Sequence, residues 1–323
     1  MADTSIDLAK QKPKLTALPD GLDVAATSLD VSENALTALS PAIGTLTSLK
    51  TLNVSDNQLG ELPEEIGSLR AVEALLLYKN VLKRLPDAVG RLHNLKILNA
   101  FNNRMMTFPA ALGARLQPNS IQHATPLSYA KHSVPGIPRT GALSNLEEVN
   151  AAANKLGLIS EASMSGWSRV RVLNLYDNRL VSIGSLAGLT SLTELRLYNN
   201  QLDALPELPA ISSLELLEAH NNRLEKLDDK YFAAAPRLRR LLLAGNQLTK
   251  LPTSLSSCAK LQFLQVGGNQ IAELQMEPRR CVGFDAEEGS GEALCWPELE
   301  TLFLEQNPIA SLPTELLKCT KLT

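Results

Sequence analysis

Leucines and polar residues alternate in one pattern that recurs along almost the whole chain. The pattern is LxxLxLxxNxLxxL, as in the copy from Leu49 to Leu62. Successive copies are mostly 22 to 24 residues apart, with exceptions of 51 and 38 residues. A repeat of this length predicts a solenoid of stacked coils rather than a compact globule. Eleven copies carry asparagine at the same place: Asn34, Asn57, Asn80, Asn103, Asn154, Asn178, Asn200, Asn222, Asn246, Asn269 and Asn307.

Each copy predicts a short strand and a return leg. In the segment xLxLx, a period of two places the leucines on one face and the intervening residues on the other. We expect the strands of successive coils to pair into one long parallel sheet, with leucines inside and variable residues on the concave face. Proline and glycine in LPEEIGSL (62–69) and LPDAVGRL (85–92) predict short helical or 3-10 turns on the convex face, where glycine lets the turn end tightly. The expected fold is an α/β solenoid.

The asparagines have a predicted structural role. Beyond each strand the backbone turns inward and leaves amides and carbonyls without ladder partners. A buried backbone group without a partner costs about 1–3 kcal/mol. Because an asparagine amide both donates and accepts, one side chain can serve two coils. We therefore assign all eleven asparagines to the framework and none to catalysis.

The repeat resembles that of leucine-rich repeat proteins. The early coils, LPxxIGxLxxLxxLxLxxNxL, are similar to the plant intracellular Ras-group type and its animal Ras-pathway scaffold relatives. The 22-residue coils around Asn200 and Asn222 resemble the phosphatase-regulator class. The resemblance implies a horseshoe of about 11 coils over residues 15–323 and a non-enzymatic binding or scaffold role through the concave face. It also implies protein partners such as small GTPases, kinases or phosphatases.

Two spacings and both ends depart from the repeat. We expect residues 1–14 to form a polar N-terminal arm, and the chain to end where the next strand would start. The final leucines are covered by the last helix or by a partner, or the sequence is a fragment.

The long spacings predict insertions near residues 115–142 and 277–294. The first lies in a stretch between Asp87 and Glu147 that has no acidic residue; it is a basic docking loop, a disordered insertion or a gene-model artefact. The second is flanked by Cys281 and Cys295, which form a disulfide, half a metal site or two free thiols.

The outward positions of the strands carry the candidate binding residues. Three of the five tyrosines, together with Phe101 and His220, lie two residues before a repeat asparagine. Neighbouring outward positions add charges of both signs. Stacked rings stabilise a sheet by about 0.2–1 kcal/mol per pair, which is the structural explanation. Aromatic and arginine side chains also dominate protein interfaces. We therefore predict a partner site on the concave face, comprising Tyr78, Phe101, Tyr176, Arg196, Tyr198, Glu218, His220 and Arg240.

Composition and motifs narrow the function. A net charge of −3 gives no reason to expect nucleic acid as a partner, and no apolar run is long enough to predict a membrane span. No secretory signal is visible, and the four cysteines are too few for a disulfide framework, so we expect a reducing cytoplasmic setting. Phosphate-loop, HExxH and GxSxG motifs are absent from the sequence. We accordingly expect no enzyme activity, no cofactor and no metal site.

Two functions from different classes fit these features. The first is a non-enzymatic scaffold or adaptor in intracellular signalling. The alternative is a regulatory subunit of a phosphatase or ubiquitin-ligase complex. Coils of 22, 23 and 24 residues favour the first, since phosphatase-binding relatives have nearly uniform 22-residue coils. A third, weaker hypothesis is recognition of a peptide or small ligand in the groove.

Overall fold

The described residues form a single-layer solenoid built on one long parallel sheet. The computed structural model describes residues 4–113, 143–208, 213–233, 235–274, 296–314, 316 and 319–322. Within these ranges, twelve strands pair in chain order, and β7 and β9 form a separate two-stranded sheet. The strands are β1 (Ser5–Asp7), β2 (Ser28–Asp30), β3 (Thr51–Asn53), β4 (Ala74–Leu76), β5 (Ile97–Asn99), β6 (Glu148–Asn150), β7 (Leu158–Ile159), β8 (Val172–Asn174), β9 (Ser182–Ile183), β10 (Glu194–Arg196), β11 (Leu216–Glu218), β12 (Arg240–Leu242), β13 (Phe263–Gln265) and β14 (Thr301–Phe303).

Register follows the leucines. The middle residue of each strand faces the middle residue of the next, as Leu52 faces Leu75 and Leu195 faces Leu217. These central side chains are fully buried, whereas their neighbours in the strand are partly exposed. The alternation predicted from the sequence therefore separates an aliphatic core from a concave outer face, and the fold expected from the repeat is confirmed.

The sheet starts within the segment that we expected to be a polar arm. β1 pairs with β2, and Ile6 faces Leu29. By this register Gln11 stands where later coils have asparagine, and its Nε2 donates to the carbonyl of Ala9 at 3.4 Å. Because this coil has glutamine in place of asparagine, the repeat pattern did not predict it.

All eleven repeat asparagines join adjacent coils through backbone groups. Asn57 is representative: its Nδ2 donates to the carbonyls of Val31 (3.0 Å) and Val54 (3.2 Å), one in each coil. Its Oδ1 accepts the N–H of Leu36 from the preceding coil at 2.9 Å. The other ten make equivalent bonds, and all except Asn307 are buried. We refer to this set as the asparagine ladder.

The ladder continues across both long spacings. Asn154 Nδ2 donates to the carbonyl of Ala100 at 2.9 Å, and Asn307 Nδ2 donates to that of Val266 at 2.9 Å. β5 pairs directly with β6, and β13 with β14. The coils on either side of each long spacing are thus neighbours in the sheet. The predicted insertions near 115–142 and 277–294 lie outside the described residues, as do Cys281 and Cys295.

A left-handed residue precedes each asparagine of the ladder. The φ angles at these positions lie between 52° and 63°. Such angles are costly for most side chains but tolerated by glycine, asparagine and aspartate. Seven of the eleven residues are of those types, so the sequence carries a signal for this turn that our predictions left out. The residues are Glu33, Asp56, Lys79, Asn102, Ala153, Asp177, Asn199, Asn221, Gly245, Gly268 and Gln306.

The convex face consists of very short helices. The 3-10 helices are Pro41–Thr45, Glu64–Ser68, Asp87–Arg91, Ala110–Leu112 and Thr253–Ser257, and the α-helices are α1 (Glu161–Met164) and α2 (Lys230–Ala233). A proline starts each of the five 3-10 helices as expected, with Pro63 immediately before Glu64. Glycine follows its helix as predicted at Gly113, but the predicted role in ending the turn is wrong for Gly67. Gly67 lies inside its helix, and a Cβ there would come 2.8 Å from the carbonyl oxygen of Ala88, so glycine permits close stacking of coils.

The core behind the sheet also accommodates two tryptophans and two cysteines. Trp167 and Trp296 are buried, and their indole N–H groups donate to the carbonyls of Leu112 (3.2 Å) and Leu255 (3.0 Å). Cys258 and Cys319 are buried thiols that are not joined in a disulfide.

Replacing a ladder asparagine should strongly destabilise the chain. Asn178 Oδ1 accepts the N–H of Leu156, and its Nδ2 donates to the carbonyls of Ala151 and Leu175. Asn178→Ala leaves the buried N–H of Leu156 unpaired and removes one of two side-chain donors from each carbonyl, and we expect a loss of about 2 kcal/mol in the free energy of unfolding. Urea denaturation measures the loss, and faster amide hydrogen exchange at Leu156 locates it. Asn94→Ala is the control, since Asn94 is exposed and makes one bond, to the carbonyl of Arg70. Equal stability of the two variants would contradict the structural role.

Adding a Cβ at one left-handed glycine should also destabilise the fold. Gly245 has a φ of 63°, and a Cβ there would lie 2.5 Å from Oδ1 of Asn221. We expect Gly245→Ala to lower the free energy of unfolding by about 1–2 kcal/mol. Gly188→Ala is the matched control, because no atom lies within 4 Å of a Cβ at that position. A Gly245→Ala variant as stable as the control would refute the requirement for a left-handed residue.

Candidate partner-binding site on the concave face

Four rings form a continuous row across the concave face. Tyr176 and Tyr198 stack with centroids 4.5 Å apart and planes 7° from parallel. His220 stacks on the other side of Tyr198, also at 4.5 Å and at 9°. Phe101 meets Tyr176 at 6.4 Å in a tilted arrangement. We call Phe101, Tyr176, Tyr198 and His220 the aromatic row; each side chain is partly exposed.

The row closes over the coil that has no ring. Ala152 occupies the aromatic position between Phe101 and Tyr176, whose strands are two steps apart in the sheet. Two strand spacings amount to about 9–10 Å. The rings nevertheless approach to 6.4 Å, and Ala152 beneath them is fully buried. The small side chain of Ala152 thus leaves room for the two neighbouring rings to meet above it, so the aromatic row is not interrupted.

Tyr78 lies at the equivalent position one coil before Phe101. It is partly exposed, and its carbonyl accepts the N–H of Asp56 at 2.9 Å. Within the described part of the chain, no ring contact joins Tyr78 to Phe101. The structure places Tyr78 on the same face as the aromatic row but outside the stack.

Arg196 is held by polar groups of three adjacent strands. Its guanidinium pairs with Glu194 at 2.7 Å and Glu218 at 3.3 Å, and Nη1 donates to Oδ1 of Asn174 at 3.0 Å. Part-exposed ion pairs contribute only about 0–1 kcal/mol, so their main effect is to fix the guanidinium beside the aromatic row. The sequence brought these residue types to one face, and the structure shows which pairs form.

Arg240 belongs to a different group. Its guanidinium lies 4.9 Å from the ring centroid of Phe263, which is 5.6 Å from that of Phe303. Phe303 is 42% exposed. Both phenylalanines occupy outward strand positions. The repeat pattern therefore places them on the concave face, although we did not include them in the predicted site. The concave face therefore carries an apolar group at its C-terminal end in addition to the aromatic row.

Burial changes the proton affinities of the aromatic row. Burial lowers the pKa of His220 below its ordinary value of 6.5, although Glu218 and Asp177 act in the opposite direction. Its Nδ1 is buried and has no hydrogen-bond partner in the described structure. Burial also raises the pKa of Tyr198 to about 12, with smaller contributions from Tyr176 and Asp177. Near neutral pH the row is therefore uncharged, beside the charged groups around Arg196.

This arrangement suits binding. The site offers flat ring surface, fixed charges and no enclosing walls, and such surfaces resemble the centres of protein interfaces. Among the described residues, no cluster of three or more histidine, cysteine, aspartate or glutamate side chains could hold a metal ion. Helices long and apolar enough to cross a membrane are likewise absent from the described ranges.

The stacked histidine should titrate at unusually low pH. We expect the NMR titration midpoint of the His220 ring to lie below 6.5. The folded state then binds fewer protons than the unfolded state. This contribution to stability is present above about pH 6.5 and is lost as the pH falls through the folded-state pKa. In His220→Gln, the free energy of unfolding should fall less between about pH 7 and about pH 5 than in the unmodified chain. A midpoint of 6.5 or higher would contradict the burial of the ring.

Comparisons with known proteins follow the same pattern. Models of leucine-rich repeats match residues 48–69, 168–210 (as two copies) and 212–271. No curated protein sequence is significantly similar to the chain.

Solved structures share the fold at low identity. YopM from Yersinia enterocolitica WA-314 superposes with a TM-score of 0.64 at 23% identity, over 93% of this chain and 50% of that one. A chain of the Drosophila Toll–Spatzle complex gives 0.71 at 19% identity, over 97% and 39%. A chain in the octameric complex of Latrophilin 3, Unc5D and FLRT2 (LRR) gives 0.60 at 17% identity, over 95% and 94%. This chain thus spans about half or less of the first two proteins.

These matches agree with the geometry of the molecule. Leucine-rich repeat domains generally mediate protein–protein interaction, and the family is typically non-enzymatic. The recurring leucines, the twelve paired strands of the described ranges and the matches over residues 48–69, 168–210 and 212–271 together identify the fold as a leucine-rich repeat solenoid.

Proposed function

We propose that this chain is a non-enzymatic scaffold or adaptor in intracellular signalling that binds a protein partner through its concave face. The observation that carries the proposal is the aromatic row, a partly exposed stack from Phe101 to His220. The partner site also includes Tyr78, Arg196, Glu218 and Arg240. Packing of the fold accounts for the leucines and asparagines but does not require rings on the open face.

The rings are ordered before any partner arrives. Tyr198 is stacked on both faces at 4.5 Å, so its side chain is held in one orientation. Binding to a fixed side chain avoids the ordering cost of about 0.5–1.5 kcal/mol that a mobile side chain incurs. The exposed edges of the row would therefore contribute to affinity with little entropic loss.

Charge around the row indicates what the partner contributes. The single guanidinium of Arg196 faces two carboxylates, those of Glu194 and Glu218. Asp177 and Glu148 add further negative charge nearby, and both are exposed. A partner surface with a basic side chain beside an apolar or aromatic one would complement this arrangement.

The partner class rests on the resemblance of the early coils to the Ras-group repeats. We propose a small GTPase or a kinase as the partner, in the cytoplasm. Buried thiols at Cys258 and Cys319, outside any disulfide, are compatible with a reducing compartment. A phosphatase is the alternative partner, with this chain as its regulatory subunit.

Removing the centre of the site should abolish capture of the partner. We expect Arg196→Ala combined with Tyr198→Ala to reduce the yield of a captured partner by about tenfold or more, as central interface residues do. Proximity labelling in cells, followed by quantitative affinity capture with purified chain, gives the measurement. Arg91→Ala with His93→Ala is the matched control, since both residues are exposed on the convex side. Circular dichroism verifies that both variants remain folded.

Two results would change this assignment. Equal capture by the site variant and the unmodified chain would refute a concave partner site. Phosphatase activity in the captured material, lost with the site variant, would replace the signalling adaptor by the regulatory subunit.

A further inference from the structure

A second exposed surface lies outside the concave face, on the flank where the chain leaves each strand. Met106, Leu158 and Val181 are 63%, 54% and 51% exposed. They make up half of the six large, exposed apolar side chains in the described ranges. All three follow the ladder asparagine by three or four residues, in three consecutive coils of the sheet. This clustering is not a scatter of single surface leucines, which would need no explanation.

A basic row runs beside the apolar one. Arg104, Lys155 and Arg179 each follow a ladder asparagine directly, and all three are exposed. Alternation along the extended chain directs Arg104 and Met106 to the same side, with Met105 buried between them. We call Arg104, Met106, Lys155, Leu158, Arg179 and Val181 the flank surface.

The basic residues of the flank surface are unpaired within the described structure. Elsewhere, cations on successive coils do find carboxylates, as Lys79 finds Asp56 at 3.2 Å and Lys96 finds Glu73 at 2.6 Å. No described ion pair involves Arg104, Lys155 or Arg179. In the three coils of the flank surface, none of the four residues after the asparagine is acidic; in other coils these positions include Glu61, Asp203, Glu225 and Glu273. The flank surface therefore presents both apolar area and uncompensated positive charge.

Spacing identifies the shape that fits. Backbone hydrogen bonds join these coils on the flank, including Lys155 N–H to Met105 carbonyl (2.9 Å) and Val181 N–H to Gly157 carbonyl (3.1 Å). Hydrogen-bonded strands lie about 4.8 Å apart, so successive coils present their side chains at that period. Leu158 is displaced from the row by one residue along the chain, since its strand partner is Ser182 rather than Val181. An α-helix lying across the coils repeats its face about every 5.4 Å, whereas an extended strand repeats every 6.6–6.8 Å or so. Over three coils, only the repeat of the helix stays close to the spacing of the coils.

We propose that the flank surface binds an acidic amphipathic helix of a partner protein. Apolar side chains at i, i+4 and i+7 would contact Met106, Leu158 and Val181. Glutamate or aspartate on the neighbouring stripe would pair with Arg104, Lys155 and Arg179. The surface is independent of the aromatic row, so one chain could hold two partners at once.

Two other occupants fit less well. An anionic membrane would also meet Asp203 in the coil that follows the surface, and the three coils offer it a strip only about 10 Å wide. A second copy of this chain would have to supply the helix. The helices in its described ranges are at most five residues long, too short for two turns.

A designed peptide tests the proposal directly. The probe is a fluorescent helical peptide with leucines at i, i+4 and i+7 and glutamates on one adjacent stripe. A peptide of the same composition in scrambled order is its control. Binding to the full chain is followed by fluorescence anisotropy at several salt concentrations. Lys155→Glu with Arg179→Glu should weaken binding about tenfold or more, since two exposed ion pairs are lost. Leu158→Ser with Val181→Ser should weaken it similarly.

Control variants separate this surface from the others. Arg223→Glu changes the equivalent position of a later coil outside the flank surface and should leave binding unchanged. Arg196→Ala with Tyr198→Ala should also leave it unchanged, even if it abolishes capture through the concave face. Weaker binding at higher salt supports the proposal.

Several results would overturn it. One is the absence of saturable binding, and another is equal binding of the scrambled peptide or equal binding to Lys155→Glu with Arg179→Glu. Binding of the unmodified chain to phosphatidylserine vesicles, lost in that charge-reversed variant, would assign the surface to a membrane if the peptide fails to bind. Self-association in analytical ultracentrifugation, lost in the same variant, would assign it to a second copy.

Discussion

The bond between each ladder asparagine and the preceding coil is the constraint on which the molecule depends. One buried amide saturates backbone groups of two coils, as Asn57 does for Val31 and Leu36 of the preceding coil and Val54 of its own. To present that amide, the residue before it adopts a left-handed conformation. These bonds and the strand ladder fix the separation of coils at about 4.8 Å. Equivalent side chains in successive coils therefore form rows with a common period.

Such rows explain why the binding sites that we propose are open surfaces rather than cavities. On the concave face, the position two residues before the asparagine carries the rings of the aromatic row, which are close enough to contact one another. On the flank the same period places the exposed cation Lys155 between Arg104 and Arg179 of the two neighbouring coils. The framework supplies the spacing at no cost to the outward residues, which are free to vary. Two independent binding surfaces, as we propose them, can thus coexist on one solenoid.

Much of the fold was predictable, because its signals are local and periodic. The leucine positions identified the buried face, and the asparagines identified the turns. The first coil was not predicted, because Gln11 occupies the place of the asparagine. β1 is recognisable only by its pairing with Leu29 and the neighbours of Leu29. Glycine at position 67 was assigned the wrong role, since its contact with Ala88 joins two coils and has no signature within one. The aromatic column was visible in the sequence, but its continuity over Ala152 was not.

By itself the sequence determined the repeat, the period and the face to which each side chain points, because these follow from alternation along a single strand. Only the tertiary structure decided which outward groups meet. Arg196 pairs with Glu194 and Glu218, whereas Arg240 turns to Phe263. The difference depends on side-chain orientations across strands about 4.8 Å apart, where several partners are within reach. Sequence spacing places residues in columns, and three-dimensional packing selects their contacts.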